Sequence, residues 1–157
     1  MKLLELVVTL TIFLLVAASV AAFSLGRKAY AVHASVAALT ALVDDARAAA
    51  QTSGNGATIA LAADETGGFV ATLYPFRPLP SAAEGAPAAR TIRANVSLAP
   101  VPLGIFISSS ATVSAAPWTV GQTLAAEPPC SEPIALTFDD GSYRETHALA
   151  CGDARLR

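Results

Sequence analysis

An apolar run without any charged residue, Leu6 to Gly26, constrains the fold of this chain more than any other feature. The run has 21 residues, which span roughly 30 Å at the α-helical rise of about 1.5 Å per residue. Glu5 precedes it, and Arg27 and Lys28 follow it. Basic residues at the end of such a run are typical of the place where a helix leaves lipid. We therefore expect residues 1–26 to form a transmembrane helix.

Glu5 is the one acidic residue in this segment. An ionisable side chain next to an apolar run costs free energy unless it has a partner, so it is a functional hypothesis by default. The partner that we expect is an α-amino group.

Helical periodicity continues beyond the apolar run, through residues 28–52. Apolar residues recur there at alternating spacings of four and three, which places them on one face of a helix: Val32, Val36, Leu39, Val43, Ala46 and Ala50. The sequence Ser53-Gly54-Asn55-Gly56 supplies residues that favour the left-handed backbone after a helix end. The chain is therefore predicted to open with one long helix, apolar in its first half and amphipathic in its second.

The pattern changes to that of β-strands after this stop. Residues 57–62 and 68–74 alternate in the manner of strands and are joined by a turn-rich segment, which predicts a hairpin. Residues 91–98, 104–109 and 134–138 are further strand candidates, and the turn Asp139-Asp140-Gly141 leads into a returning strand, Tyr143 to Cys151. The fold class predicted is α+β, with a small antiparallel sheet over residues 57–157 in one globular domain, 27–157.

The first ten residues, Met1-Lys2-Leu3-Leu4-Glu5-Leu6-Val7-Val8-Thr9-Leu10, resemble the start of a mature type IV pilin or type II secretion pseudopilin. The order of a long helix and then a sheet is similar to the pilin fold. The segments Asp44-Asp45-Ala46-Arg47 and Ile134-Ala135-Leu136-Thr137-Phe138 look most like the GspH/FimT-like minor pseudopilins. The resemblance implies a minor pilin or pseudopilin that assembles through its N-terminal helix into a pilus or pseudopilus.

Specific residue roles and partners follow from this resemblance. Glu5 would be the assembly residue, and it would pair with the amine of Met1 on a neighbouring subunit. Met1 would be the methylated terminus produced by a prepilin peptidase. The partners implied are other pilin or pseudopilin subunits, the inner-membrane assembly platform and membrane lipid. The localisation implied is the bacterial inner membrane, with a single pass and a globular domain in the periplasm or on an extracellular filament.

Two alternatives stay open at this point. Some members of the family contact DNA through an arginine-containing tail, which Arg155-Leu156-Arg157 resembles; Arg144 is expected nearby, and arginines suit phosphate contacts. A solvated charged tail explains the same residues. The second alternative is a periplasmic binding domain released by signal peptidase, with Lys2 as the charged start, Leu6 to Val16 as the apolar segment and Ser19-Val20-Ala21 as the cleavage site.

The two cysteines, Cys130 and Cys151, both belong to the C-terminal part. Outside the cytoplasm, a disulfide between them would close a loop and stabilise the domain by about 3 kcal/mol. The resemblance points the same way, because many pilins close a C-terminal loop in this manner. Two unpaired, buried thiols are the alternative.

Catalytic, metal-binding and cofactor motifs have little support in the sequence. His33 stands among small residues and His147 stands beside no serine or carboxylate motif, and a zinc site needs more ligands at closer spacing. Asp139 and Asp140 do not have the spacing of a calcium loop. The net charge of −2 gives no overall attraction for polyanions. We expect a protein that is not an enzyme and has neither a cofactor nor a metal.

Overall fold

The computed structural model describes residues 2–76, 88–118 and 129–157, and in the first helix it describes the side chains of residues 7–23 and 29–53. The chain is α+β, as predicted, with a long N-terminal helix followed by antiparallel strands.

Helix α1 runs without interruption from Lys2 to Ser53, 52 residues, or about 78 Å at 1.5 Å per residue. The predicted boundary between residues 26 and 27 is therefore not marked by any break in the helix. The helix ends where the Gly and Asn residues predicted its end. Gly54 has a φ of +71°, and its N–H donates to the carbonyl of Ala50 at 3.1 Å, which closes the last turn.

The second half of α1 packs on the sheet through the predicted face. Val32, Leu39, Val43, Ala46 and Ala50 are all buried, and Val36 is partly buried against the same core. Leu42, which the sequence pattern did not include, is buried as well. Burial of this stripe fixes the helix on the strands.

The strands form two antiparallel sheets where the sequence predicted one. The larger has the order β3-β2-β1-β5-β6, and its strands are β1 Ala57–Ala63, β2 Phe69–Tyr74, β3 Arg90–Ala94, β5 Leu103–Ile107 and β6 Val113–Ala116. The smaller has the order β4-β7-β8, with β4 Ser97–Ala99, β7 Ile134–Asp139 and β8 Arg144–Leu149.

Two differences from the predicted strands have identifiable causes. The segment 91–98 is two strands rather than one, because the chain leaves the edge of the larger sheet after Ala94 and joins the smaller sheet at Ser97, with Val96 buried between them. Strand β6 was not predicted, since its sequence Val-Ser-Ala-Ala has a low strand propensity. Both predicted hairpins, β1–β2 and β7–β8, are confirmed.

The core lies between α1 and the two sheets. Phe69 on β2 and Phe138 on β7 meet edge to face with ring centroids 6.0 Å apart, and both are fully buried. This contact joins the two sheets, and α1 covers the side chains around it. Aromatic pairs in this geometry contribute about 0.5–1.5 kcal/mol beyond the area that they bury.

The prediction of a membrane span is not supported. In the part of the chain that the structure describes, no helix has a stretch that is both long and apolar enough to cross a membrane, which takes about 20 consecutive apolar residues. The prediction of a single-pass protein of the bacterial inner membrane is therefore wrong.

Candidate functional site

The first half of α1 leaves its apolar side chains uncovered, and we call residues Val7–Phe23 the apolar arm. Ten large hydrophobic side chains of the arm are at least half exposed, from 50% at Val8 to 72% at Phe13. They are Val7, Val8, Leu10, Ile12, Phe13, Leu14, Leu15, Val16, Val20 and Phe23. Contiguous apolar surface of this kind marks an interaction site.

Two polar side chains of the arm use up their hydroxyl donors within the helix. Thr11 donates to the carbonyl of Val7 at 2.7 Å, and Ser19 donates to the carbonyl of Leu15 at 2.8 Å. These hydroxyls therefore offer less to a partner than their residue types suggest, and contact with the arm is dominated by apolar groups.

The predicted assembly residues lie at the border of the described structure. The backbone of Glu5 belongs to α1, but its side chain, like the whole of Met1, lies outside the described residues. The pairing of Glu5 with an amine and the methylation of Met1 stay predictions.

The C-terminal segment, which carries Arg155 and Arg157, is paired with an edge strand rather than free in solvent. Ala148 N–H donates to the carbonyl of Arg157 at 2.8 Å, Arg157 N–H donates back to Ala148 at 2.9 Å, and Ala150 N–H donates to the carbonyl of Arg155 at 2.8 Å. Leu156 faces Leu149 in this pairing. The tail thus extends the smaller sheet beyond β8.

This pairing places the tail beside α1 and forms an open cleft of about 330 Å³, which we call the tail cleft. Its lining residues come from one face of α1 and from the tail: Thr40, Asp44, Arg47, Arg155, Leu156 and Arg157. Sequence reasoning identified Arg155 and Arg157 but not Arg47. Arg47 was missed because nothing in the sequence around residue 47 predicts that the tail returns to the helix.

Asp153 organises the arginines around the tail cleft. Its carboxylate accepts a hydrogen bond from Nη2 of Arg157 at 2.9 Å and lies 3.9 Å from Nε of Arg155. Its backbone carbonyl accepts from Nη1 of Arg47 at 3.4 Å. The three guanidinium groups are therefore brought together around one acidic residue.

Arg144 lies at the other end of β8. It is four positions before Ala148, the partner of Arg157, and four positions along a strand cover roughly 13 Å. Its guanidinium donates to Asp139 through Nε at 2.8 Å and through Nη2 at 2.5 Å. The structure therefore brings Arg155 and Arg157 together but not Arg144, and each of the three faces an aspartate, so the DNA-binding hypothesis stays a prediction.

Asp139 is a strong acceptor at the β7–β8 turn. Its Oδ1 accepts from the N–H of Gly141 at 2.7 Å, and this hydrogen bond, followed by the bond from Arg144, holds the pKa of Asp139 below the usual 3.8. The turn that the sequence predicted from Asp139-Asp140-Gly141 is thus built around a carboxylate with a structural role, in agreement with the residue preferences of turns.

Both histidines contact one carboxylate between α1 and β8. Nδ1 of His33 lies 3.3 Å from Oε2 of Glu145, and Nε2 of His147 lies 3.0 Å from Oε1. Across the described residues there is no group of three or more His, Cys, Asp or Glu side chains that could hold a metal ion. The contact of His33 with Glu145 joins the helix to the smaller sheet, and the sequence analysis missed it because the two residues are more than a hundred positions apart in the chain.

The predicted disulfide between Cys130 and Cys151 is present, with Cα atoms 5.5 Å apart. The backbone of each cysteine is hydrogen-bonded to β6. The N–H of Cys130 donates to the carbonyl of Val113, and the N–H of Val113 donates to the carbonyl of Cys151, each at 2.8 Å. The bridge therefore anchors the start of the tail, next to the residues that form the tail cleft. Closing a loop with a sequence separation of 21 stabilises the domain by about 3 kcal/mol.

Comparisons with known proteins return no match: no protein-family model fits the sequence, and no curated protein and no solved structure shows significant similarity to it.

Proposed function

We propose that the protein is a structural subunit, a minor pilin or pseudopilin, that assembles through its N-terminal helix into the filament of a type IV pilus or a type II secretion pseudopilus. The observation that carries the proposal is the apolar arm, where ten large side chains are at least half exposed. At about 25 cal/mol for each Å² of apolar surface removed from water, covering such side chains is strongly favourable. The role is structural and not enzymatic.

The occupant that best fits this arm is a bundle of like helices from neighbouring subunits. A single straight helix with apolar side chains around its circumference is covered completely only inside a bundle. Phe13, Leu14, Leu15 and Val16 are consecutive, and all four are exposed, so they present apolar surface in every direction around the axis. Flat contact with one partner would leave part of that surface in water.

Glu5 gives the assembly its order. In an apolar bundle its carboxylate is costly without a partner, and an amine at the start of a neighbouring subunit removes that cost by pairing with it. The carboxylate of Glu5 reaches this amine in only one register of neighbouring helices. Glu5 therefore opposes burial when it is unpaired and selects the correct packing when it is paired.

The architecture of the rest of the chain supports a pilin-like fold. The second half of α1 is buried against antiparallel strands while the first half projects from them. A subunit of this shape inserts its arm into a filament core and leaves its sheets on the outside. The disulfide and the paired tail stiffen the outer part at its C-terminal end.

The test is the amount of a Glu5→Ala variant that enters filaments. We expect filaments sheared from the native cells to contain at least tenfold less of the variant than of the wild type, at equal total expression, because the pairing that selects the register is gone. Glu65→Ala is the control, since Glu65 is exposed in the β1–β2 turn, and it should enter at the wild-type level. Incorporation of Glu5→Ala at that level would reject the assembly role of Glu5.

A further inference from the structure

The tail cleft carries an excess of positive charge that the filament role does not use. Three arginines, Arg47, Arg155 and Arg157, line it together with the carboxylate of Asp44, and the carboxylate of Asp153 lies beside Arg155 and Arg157. These side chains together carry one more positive than negative charge. A guanidinium has five N–H donors, so most of the donors around the cleft are free for a ligand.

The two arginines that hold the excess charge are identified by their contacts. Arg157 is well paired, at 2.9 Å from the Asp153 carboxylate. Arg155 is 3.9 Å from the same carboxylate, beyond hydrogen-bonding distance, and Arg47 makes a long contact of 3.4 Å to a neutral carbonyl. Arg47 and Arg155 therefore have unused donors, and a guanidinium with free donors can bind a planar anion through two parallel hydrogen bonds.

The charge and shape of the cleft favour a single carboxylate over a polyanion. One excess charge balances one carboxylate, whereas successive phosphates would meet Asp44 and Asp153 as well as a protein of net charge −2. Leu156 adds an apolar wall, while the hydroxyl of Thr40 donates to the carbonyl of Val36 within the helix. A volume of about 330 Å³ lies at the lower end of the range for ligand pockets, so it suits one side chain and its neighbour rather than a large molecule.

We propose that the tail cleft docks an acidic peptide segment of a partner protein, with Arg47 and Arg155 binding its carboxylate and Leu156 contacting an adjacent apolar side chain. The carboxylate of Asp153 pairs with Arg157 instead. This proposal rests on the tail cleft alone and does not depend on filament assembly through the apolar arm.

The test is an NMR titration of the full chain, kept in solution by a mild detergent, with the arginine Nε–Hε signals observed. The probe is a blocked peptide with one aspartate between two leucines, and the matched probe has asparagine in its place. We expect saturable shifts at Arg47 and Arg155 with the aspartate peptide, and at least tenfold weaker binding of the asparagine peptide. Equal binding of the two peptides, or no shift at either arginine, would overturn the proposal.

Substitutions and competing ligands complete the test. Arg47→Gln and Arg155→Gln should each weaken binding of the aspartate peptide at least fivefold, while Arg93→Gln, an exposed arginine on β3, should change it less than twofold. Two separate variants guard against the misfolding of one. Inorganic phosphate and a short DNA duplex are then titrated as competing ligands. Tighter binding of either than of the peptide, with loss on Arg47→Gln, would replace the carboxylate ligand by a phosphate one.

Discussion

Individual carboxylates stabilise turns of this protein by accepting hydrogen bonds, and Asp139 is the clearest case. One of its oxygens accepts from the backbone of Gly141 and the other from the guanidinium of Arg144. Both bonds are stronger with the charged form, so they lower the pKa of Asp139 below 3.8. Because the folded state has the lower pKa, the carboxylate favours folding above pH 3.8, and this contribution disappears as the pH falls through the lowered pKa.

Arg144→Gln should therefore raise the pKa of Asp139 but leave it below 3.8, because the larger cause, the N–H of Gly141, remains. A carboxyl-carbon NMR titration from about pH 2 to 6, across the usual range of aspartate pKa values, measures this directly. Asp64 is the internal control, since its own lowered pKa comes first from Thr66 and should not move. A pKa of Asp139 that is unchanged in the variant would show that the ion pair does not form in solution.

Residue roles were predictable from sequence where they depend on neighbours in the chain. The turn at Asp139-Asp140-Gly141 and the glycine cap after Ser53 are of this kind, and both appear as predicted. The contacts of Arg47 with Asp153 and of His33 with Glu145 were not predictable, because only the folded tail and strand β8 bring these residues close to the helix.

At the scale of elements, the helix and the two hairpins follow from periodicity and turn residues, whereas the division into two sheets does not. Local propensity predicts one strand over residues 91–98, and a packing requirement divides it. Gly68, between β1 and β2, lies so close to the carbonyl of Ala94 that an added Cβ would overlap with it. A side chain at this position would therefore displace the backbone at Ala94 and Asn95, where the chain leaves the larger sheet.

Gly68→Ala should therefore destabilise the domain by at least about 2 kcal/mol, as overpacking of a filled site does. Gly152→Ala is the matched control: its added Cβ meets nothing within 4 Å, and the change should cost less than about 0.5 kcal/mol. Urea unfolding followed by tryptophan fluorescence measures both variants. Equal stability of the two would mean that the crossing from β3 to β4 is looser than the structure shows.

At the scale of the whole molecule, the chain divides into a folded body and a projecting arm with opposite surface character. The body buries its apolar residues beneath α1, while the arm exposes its own. Periodicity predicted which helix face is buried in the body, because that face packs on this chain's own strands. What covers the arm lies outside the chain, so neither the sequence nor the fold supplies it directly, and the bundle of like helices is the proposal that accounts for it.

The measurement that tests this account most directly is photo-cross-linking within filaments from the native cells. A benzophenone amino acid is placed in turn at Phe13, Leu14, Leu15 and Val16, which together cover the circumference of the helix, and at Ser109, an exposed turn residue, as the control. We predict that two or more of the four arm positions give covalent products with another filament subunit, and that Ser109 gives fewer. A protein that is absent from the filaments, or that is present without a cross-link from any arm position, would contradict assembly through the N-terminal helix.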